Sequence, residues 1–186
     1  MPRVTIPLPI ALILTALCYC ALSPARAQEP ASGVALVTRQ RVQLNLAGAE
    51  LIVRESRKQA EAMQLKVNIA VVDDGGHLLA FARMDGARPG SGYTAQTKAV
   101  AAATFRTATG PVPAGTTAPD PILNLSLQNA AAASGGKVTS LFGGVPVTID
   151  GQIAGAVGVG GATGEQDAQI ARAGIEALVK AVSAPK

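Results

Sequence analysis

The spacing of apolar positions changes several times along the chain, and each change marks an element. Residues 44–63 carry Leu44, Ala47, Leu51, Ile52, Ser56, Ala60 and Met63 at helical spacing, with Glu50, Arg54, Glu55, Arg57, Lys58 and Glu61 between them. This pattern predicts an amphipathic helix lying on a sheet. Asn68–Val72 is almost wholly apolar, and Leu78–Met84 follows after Asp73-Asp74-Gly75-Gly76-His77. Two apolar runs around a polar, glycine-bearing tip predict a hairpin whose first strand is central. After the breaker Pro89-Gly90-Ser91-Gly92, helical spacing resumes over Tyr93–Thr107 with Ala95, Ala99, Ala102, Ala103 and Phe105. So many alanines predict a helix that approaches its neighbour closely.

Thr109–Asn124 holds Pro111, Pro113, Pro119 and Pro121 together with Gly110 and Gly115, a density that predicts a surface loop, either a functional lid or a tolerated insertion. A short helix is expected over Ile122–Ala133, stopped by Ser134-Gly135-Gly136, and an edge strand over Val138–Leu141. Val145–Ile149 and Ile153–Val159 flank Asp150-Gly151, the strongest turn signal in the chain. Thr163-Gly164-Glu165-Gln166 is a capping box, and Ile170, Gly174, Ala177, Leu178 and Ala181 set the apolar face of a last helix. The whole predicts an α/β (α+β) domain, five antiparallel strands flanked by helices.

The first 27 residues do not belong to this pattern. Arg3 precedes an apolar run from Ile10 to Leu22, and Ala25-Arg26-Ala27 closes it with a small-x-small cleavage pattern, as in a secretory signal peptide. Leu17 and Tyr19 precede Cys18 and Cys20 where a lipidation signal needs a small residue. The expected organisation is a signal peptide over 1–27, a flexible leader over 28–43 and one domain over 44–182. Cleavage removes both cysteines, Arg3 and Arg26, lowering the formal charge from +4 to +2. Such a protein folds by core burial alone, in the periplasm or outside the cell, with no stable membrane anchor. The small charge, with no basic cluster and no aromatic stacking set, argues against nucleic acid as a partner.

Few residues carry chemistry. His77 is the only histidine; with no cysteine it cannot build a typical zinc set, which needs three or four ligands. A carboxylate-supported metal, a haem iron, which needs only one or two axial ligands, and a plain turn residue all stay open for it. Asp73 and Asp74 read as turn formers. Lys98, in the alanine-rich helix, is either a snorkelling surface lysine or a group facing a pocket anion such as a haem propionate. Arg106 and Arg83 invite the same argument, and Arg83 can alternatively pair with Asp85. Thr97, Thr104 and Tyr93 offer oxygens to a planar cofactor or serve packing. Gly158-Val-Gly-Gly-Ala-Thr-Gly164 lies between a strand and a helix start, so Gly160, Gly161, Thr163 and Gly164 are candidates to hold a carboxylate or phosphate; tight strand-to-helix packing is the alternative. A dinucleotide site is excluded because no further strand follows and no second-strand acid is present.

The segments Ile69–Ala87, Ala95–Ala99, Gly143–Val147 and Gly155–Gly174 together resemble the GlcG/HbpS-like, haem-degrading domain family, over nearly all of residues 44–182. The resemblance implies a profilin-like fold, an antiparallel sheet with helices on it, assembling into homo-oligomers, and haem as a ligand. The expected function is that of an exported protein binding haem or another iron porphyrin and assisting its sequestration, sensing or degradation. The expected site lies in an inter-subunit or helix–sheet groove walled by alanines and Phe105. The family gives no single axial ligand to transfer, so His77, Lys98 and Thr104 are the candidates for the iron read from this chain, and Lys98 or Arg106 for the propionates. The alternative is an accessory protein or enzyme of small organic-acid metabolism, with a carboxylate held by residues 158–164 and Lys98. Catalysis itself is left open; were haem degraded, iron with oxygen or peroxide would be the reactive agent.

Overall fold

The computed structural model describes residues 40–110 and 120–184; the expectations for the signal peptide, most of the leader and the centre of the proline-rich segment lie outside them. The elements run α1 (Leu46–Ala62), β1 (Asn68–Asp73), β2 (Leu78–Arg83), α2 (Ser91–Thr104), α3 (Pro121–Ala133), β3 (Gly144–Ile149), β4 (Gln152–Gly160) and α4 (Gly164–Ser183). The strands form one antiparallel sheet in the order β2-β1-β4-β3. The apolar β1 is interior, as its unbroken hydrophobicity requires. Gly151 and Asp150 both have positive φ (73° and 50°), the conformation of a type I′ hairpin turn between β3 and β4.

Alternation along the strands divides the core into two layers. Ile69 and Val71 of β1 and Val157 and Val159 of β4 join Ile52, Ala60, Ile170 and Leu178 in the layer under α1 and α4. Ala70, Val72 and Ala156 face the other way and meet Ala95, Ala99, Ala102 and Ala103 of α2. This second layer is built of small residues because α2 lies almost on the sheet. A Cβ at Gly158 would stand 2.1 Å from the Ala95 carbonyl oxygen, and one at Gly144 2.4 Å from that of Lys98. The α1–α4 crossing is equally tight, since a Cβ at Gly174 would meet Ser56 Oγ at 2.3 Å.

Several expectations are corrected. The described sheet has four strands, not five. Residues 138–141 are not a strand: the Leu141 amide donates to Thr139 Oγ1 at 3.1 Å, and Gly143, at φ 120°, turns the chain just before β3. Helix α3 reaches back into the segment expected as loop. Pro121 occupies its first turn, where a missing N–H costs nothing, and Asp120 Oδ1 accepts from the amides of Ile122 and Leu123. Helix α2 stops at Thr104, so Arg106 lies outside it in a left-handed conformation (φ 58°). In α1 the buried stripe passes through Ala49, three residues before Ile52, rather than the exposed Ala47. Ala181 is exposed because the packed face of α4 ends at Leu178.

Candidate functional site

Helix α2 runs past three distinct environments. At its middle, Lys98 neither snorkels nor stands free: its side chain is 6% exposed, and Nζ donates to Asp167 Oδ2 at 2.7 Å and to the Val159 carbonyl at 2.8 Å. Asp167 Oδ1 accepts from the Ala162 amide at 3.2 Å. Burial pushes the Asp167 carboxyl above its ordinary range, against the opposing pull of Lys98, the Ala162 amide and Arg88. The pair is roofed by Gly143, where a Cβ would strike Asp167 Cβ at 2.7 Å and Lys98 Nζ at 2.9 Å. It forms the floor of a cavity of about 490 Å³ that Arg88, Ser91, Thr94, Phe142 and Glu165 also line.

The glycine-rich segment that leads into α4 is turned toward packing. A Cβ at Gly160 would meet Thr94 Oγ1 at 2.4 Å, one at Gly161 the Lys66 carbonyl at 2.9 Å, and one at Gly164 Phe142 Cβ at 2.7 Å. Its polar groups are largely engaged by the chain itself. Thr163 Oγ1 caps Gln166, Gln166 Oε1 accepts from the Thr163 amide, and Asp167 takes that of Ala162. The positive end of α4 thus already faces the Asp167 carboxylate.

At the C-terminal end of α2, Ala101, Phe105, Ala108, Leu123, Leu127 and Ala130 wall a groove of about 320 Å³, with Thr107, Thr109 and Thr139 as its polar edge. Phe105 and Leu123 are each about half exposed, at 46%. No residue of α3, the outer wall, is buried. A mixed element of this kind, apolar yet uncovered, is unusual on an isolated chain and marks a surface that something else covers.

His77 closes the β1–β2 turn with its side chain 83% exposed. Asp73 organises that turn: Oδ1 accepts from the Gly75 and His77 amides at 2.9 and 2.8 Å, and His77 Nδ1 stands 3.3 Å from it. Partial burial opposes ionisation of Asp73, yet these donors hold its carboxyl below the ordinary value. The turn leans on the end of α2, where a Cβ at Gly76 would be 3.2 Å from Val100 Cγ1 and 3.3 Å from Thr104 Cγ2. The fold therefore brings the turn bearing His77 beside Thr104. Thr104 Oγ1 donates to the Val100 carbonyl within its own helix. Arg106 follows Phe105 on the surface and makes no ion pair among the described residues. Among those residues no three histidine, cysteine or carboxylate side chains gather as a metal set. No described helix is long and apolar enough to cross a membrane. Sequence reasoning had not foreseen Asp167 as the partner of Lys98; the only signal was an acid in the first turn of α4.

The family model described as "Haem degrading protein HbpS-like" matches residues 44–176. Protein GlcG of Escherichia coli K12 is 42% identical over 111 residues, which are 60% of this chain and 76% of GlcG. Among solved structures, a double mutant of Streptomyces reticuli HbpS superposes with a TM-score of 0.62 at 32% identity, over 83% of this chain and 96% of that one. A complex of PduOC with haem gives 0.61 at 28% identity, over 73% and 95%. The shared sheet-and-helix frame and these matches make the chain a member of the HbpS-like family.

Proposed function

We propose that the protein is an exported haem-binding member of this family and that the groove between the end of α2 and α3 receives the macrocycle. The observation that carries the reading is the groove's largely apolar lining with its threonine edge, in a family named for haem with a relative captured in a haem complex. Its volume, about 320 Å³, is at the small end of ligand sites, roughly 300–1,000 Å³. A porphyrin therefore needs more wall than one protomer offers, supplied by outward movement of α3 or by a second copy. The exposed Ile122, Leu123 and Leu125 of α3 support the homo-oligomeric reading. Export rests on the signal-peptide pattern of residues 1–27.

Within this reading Phe105, Leu123 and Leu127 exclude water from the ring faces, and Arg106 meets a propionate. Lys98, already neutralised by Asp167, serves the frame. The groove's lining holds no histidine, so His77 would reach iron from the neighbouring turn or from another protomer. Bound haem would supply iron able to activate oxygen or peroxide. The small organic-acid alternative gains less support, because Asp167 and the capping box engage the loop's amides.

Titration of the purified protein with haemin, followed in the visible spectrum, tests the proposal. A saturable Soret shift that Leu127→Glu abolishes while circular dichroism is unchanged is the expected result. Absence of saturation overturns the proposal. An unaltered spectrum for His77→Ala removes that residue as ligand and leaves the groove standing.

A further inference from the structure

A separate site stands at the opposite end of α2. Asn68 begins β1 directly across from Arg83 of β2, so their side chains share the face on which α2 packs. Phe81, two residues before Arg83, projects from the same face. Helix α2 packs on β1, β4 and β3, which leaves Phe81 and Arg83 on the edge strand with a hollow of about 340 Å³ between them and the helix start. Asn68, Pro89, Gly90, Gly92, Tyr93 and Gln96 complete its lining.

Two features of the hollow are unmet. The first is Asn68, which is fully buried. Its amide nitrogen donates to the carbonyls of Arg88 at 3.0 Å and Gly160 at 3.5 Å. Two acceptors on that side fix which end of the amide is nitrogen. Oδ1 must then point the other way, toward Gly92 and Phe81, and it has no hydrogen-bond partner. A Cβ at Gly92 would sit 3.6 Å from Oδ1 and 3.3 Å from Phe81 Cζ. A buried acceptor left without a donor costs about 1–3 kcal/mol, so a site of this kind gains from any donor that reaches it. The second is positive charge. Arg83 has no carboxylate partner among the described residues, whereas the first amides of α2, those of Ser91 and Gly92, already donate to the Arg88 and Pro89 carbonyls at 3.1 and 3.0 Å.

We propose that this hollow binds a small flat aromatic carboxylate bearing a ring N–H or O–H. The ring lies against Phe81, 40% exposed, the carboxylate meets Arg83, and the ring donor completes Asn68 Oδ1. Each recognition element has one chemical counterpart, and Tyr93 and Gln96 form the rest of the rim. The site is independent of the groove at the far end of the helix and does not require haem.

The probes are indole-2-carboxylate, its isostere benzofuran-2-carboxylate, which lacks the N–H, and indole, which lacks the carboxylate. Each is titrated into haem-free protein while the side-chain amide of Asn68 and the backbone amide of Gly92 are followed by ¹H–¹⁵N NMR. Indole-2-carboxylate should shift both resonances saturably, and each of the other two should bind about five- to tenfold more weakly, the worth of one hydrogen bond or one charge contact. Arg83→Gln should weaken indole-2-carboxylate to the level of indole and leave indole itself unchanged. Equal affinity of the indole and benzofuran acids would overturn the role of Asn68. Failure of all three probes to move these resonances in a folded protein would overturn the site, whatever haemin does elsewhere.

Discussion

Replacing Gly158 by alanine isolates the feature that positions every site along α2. An added Cβ would stand 2.1 Å from the Ala95 carbonyl oxygen and 2.4 Å from the Ala99 nitrogen, where 3.0 Å is the practical limit. Neither atom is the end of a flexible side chain, so the helix itself must lift by about 1 Å. That displacement opens the layer between Ala95, Ala99, Ala102 and the sheet residues Ala70 and Ala156. A radial gap of about 0.5–1 Å forfeits a quarter to a half of each dispersion contact across it. Added to an overpacking cost of about 1–3 kcal/mol, the loss should approach 3 kcal/mol. For a chain of this size that lowers Tm by roughly 6–12 °C. Gly90→Ala is the internal control: φ is −62° and nothing lies within 4 Å of its added Cβ. Its stability should be unchanged or raised by up to about 1 kcal/mol. Urea unfolding at constant m-value measures both. A loss below about 0.5 kcal/mol for Gly158→Ala would show that α2 is not seated on the sheet backbone as described.

Asp167→Asn leaves the Lys98 ammonium buried without its counter-charge and should cost about 3–5 kcal/mol in the same assay; a change under 1 kcal/mol, on the scale of an exposed pair, would mean the pair is hydrated. Lys98→Met removes the cation that opposes the burial of Asp167, so its carboxyl rises further above the parent's. A carboxyl raised in the fold above its ordinary 3.8 contributes stability that is present in acid and lost as pH rises through the folded value. The deficit of Lys98→Met against the parent should therefore shrink from neutral pH toward about pH 4, and a deficit that grows in acid would contradict the assignment. Asp73→Ala removes the acceptor for Gly75 and His77 and should cost about 1–2 kcal/mol at neutral pH. Because the Asp73 carboxyl is held low, its contribution is present above 3.8 and fades as pH falls through the folded value. The gap between parent and Asp73→Ala should accordingly close below that point, and a gap that persists there would place its origin outside the carboxylate.

The frame was legible because local and tertiary preferences agree. The unbroken apolar run Ile69–Val72, the Asp150-Gly151 turn and the Thr163–Gln166 box each need only a few neighbouring residues, and each forms as read. The site was less legible, since its partners are distant in sequence. Lys98 and Asp167 are 69 residues apart, and an isolated lysine among alanines reads equally as surface or pocket. The alternation Ala156, Gly158, Gly160 against Val157, Val159 does announce one crowded face, because only a backbone lying close above it explains small residues at every second position. The same signal explains why the glycine-rich loop serves packing. Residues 138–141 misled for the opposite reason: their β-branched content suits a strand, but a local hydroxyl takes the Leu141 amide and no neighbouring strand claims the segment.

The two walls of the apolar groove differ in kind, and this difference dictates how a large flat ligand would enter. Helix α2 is fixed on a floor of backbone and buried alanines, so displacement there costs several contacts at once. Helix α3 has its start prepared by Asp120 and Pro121 but buries none of its 13 residues. A helix this short is marginal without tertiary packing, so α3 draws its stability from whatever covers Leu123 and Leu127. Hydrogen exchange should therefore be fast through α3 and slow through α2 in the haem-free protein. Saturating haemin should slow α3 by more than about tenfold and leave α2 nearly unchanged. Protection of α3 that instead rises with protein concentration alone would assign its cover to a second copy of the chain. Protection equal to that of α2 in dilute, haem-free protein would mean that the groove's outer wall is already anchored, and the entry route through α3 would fall.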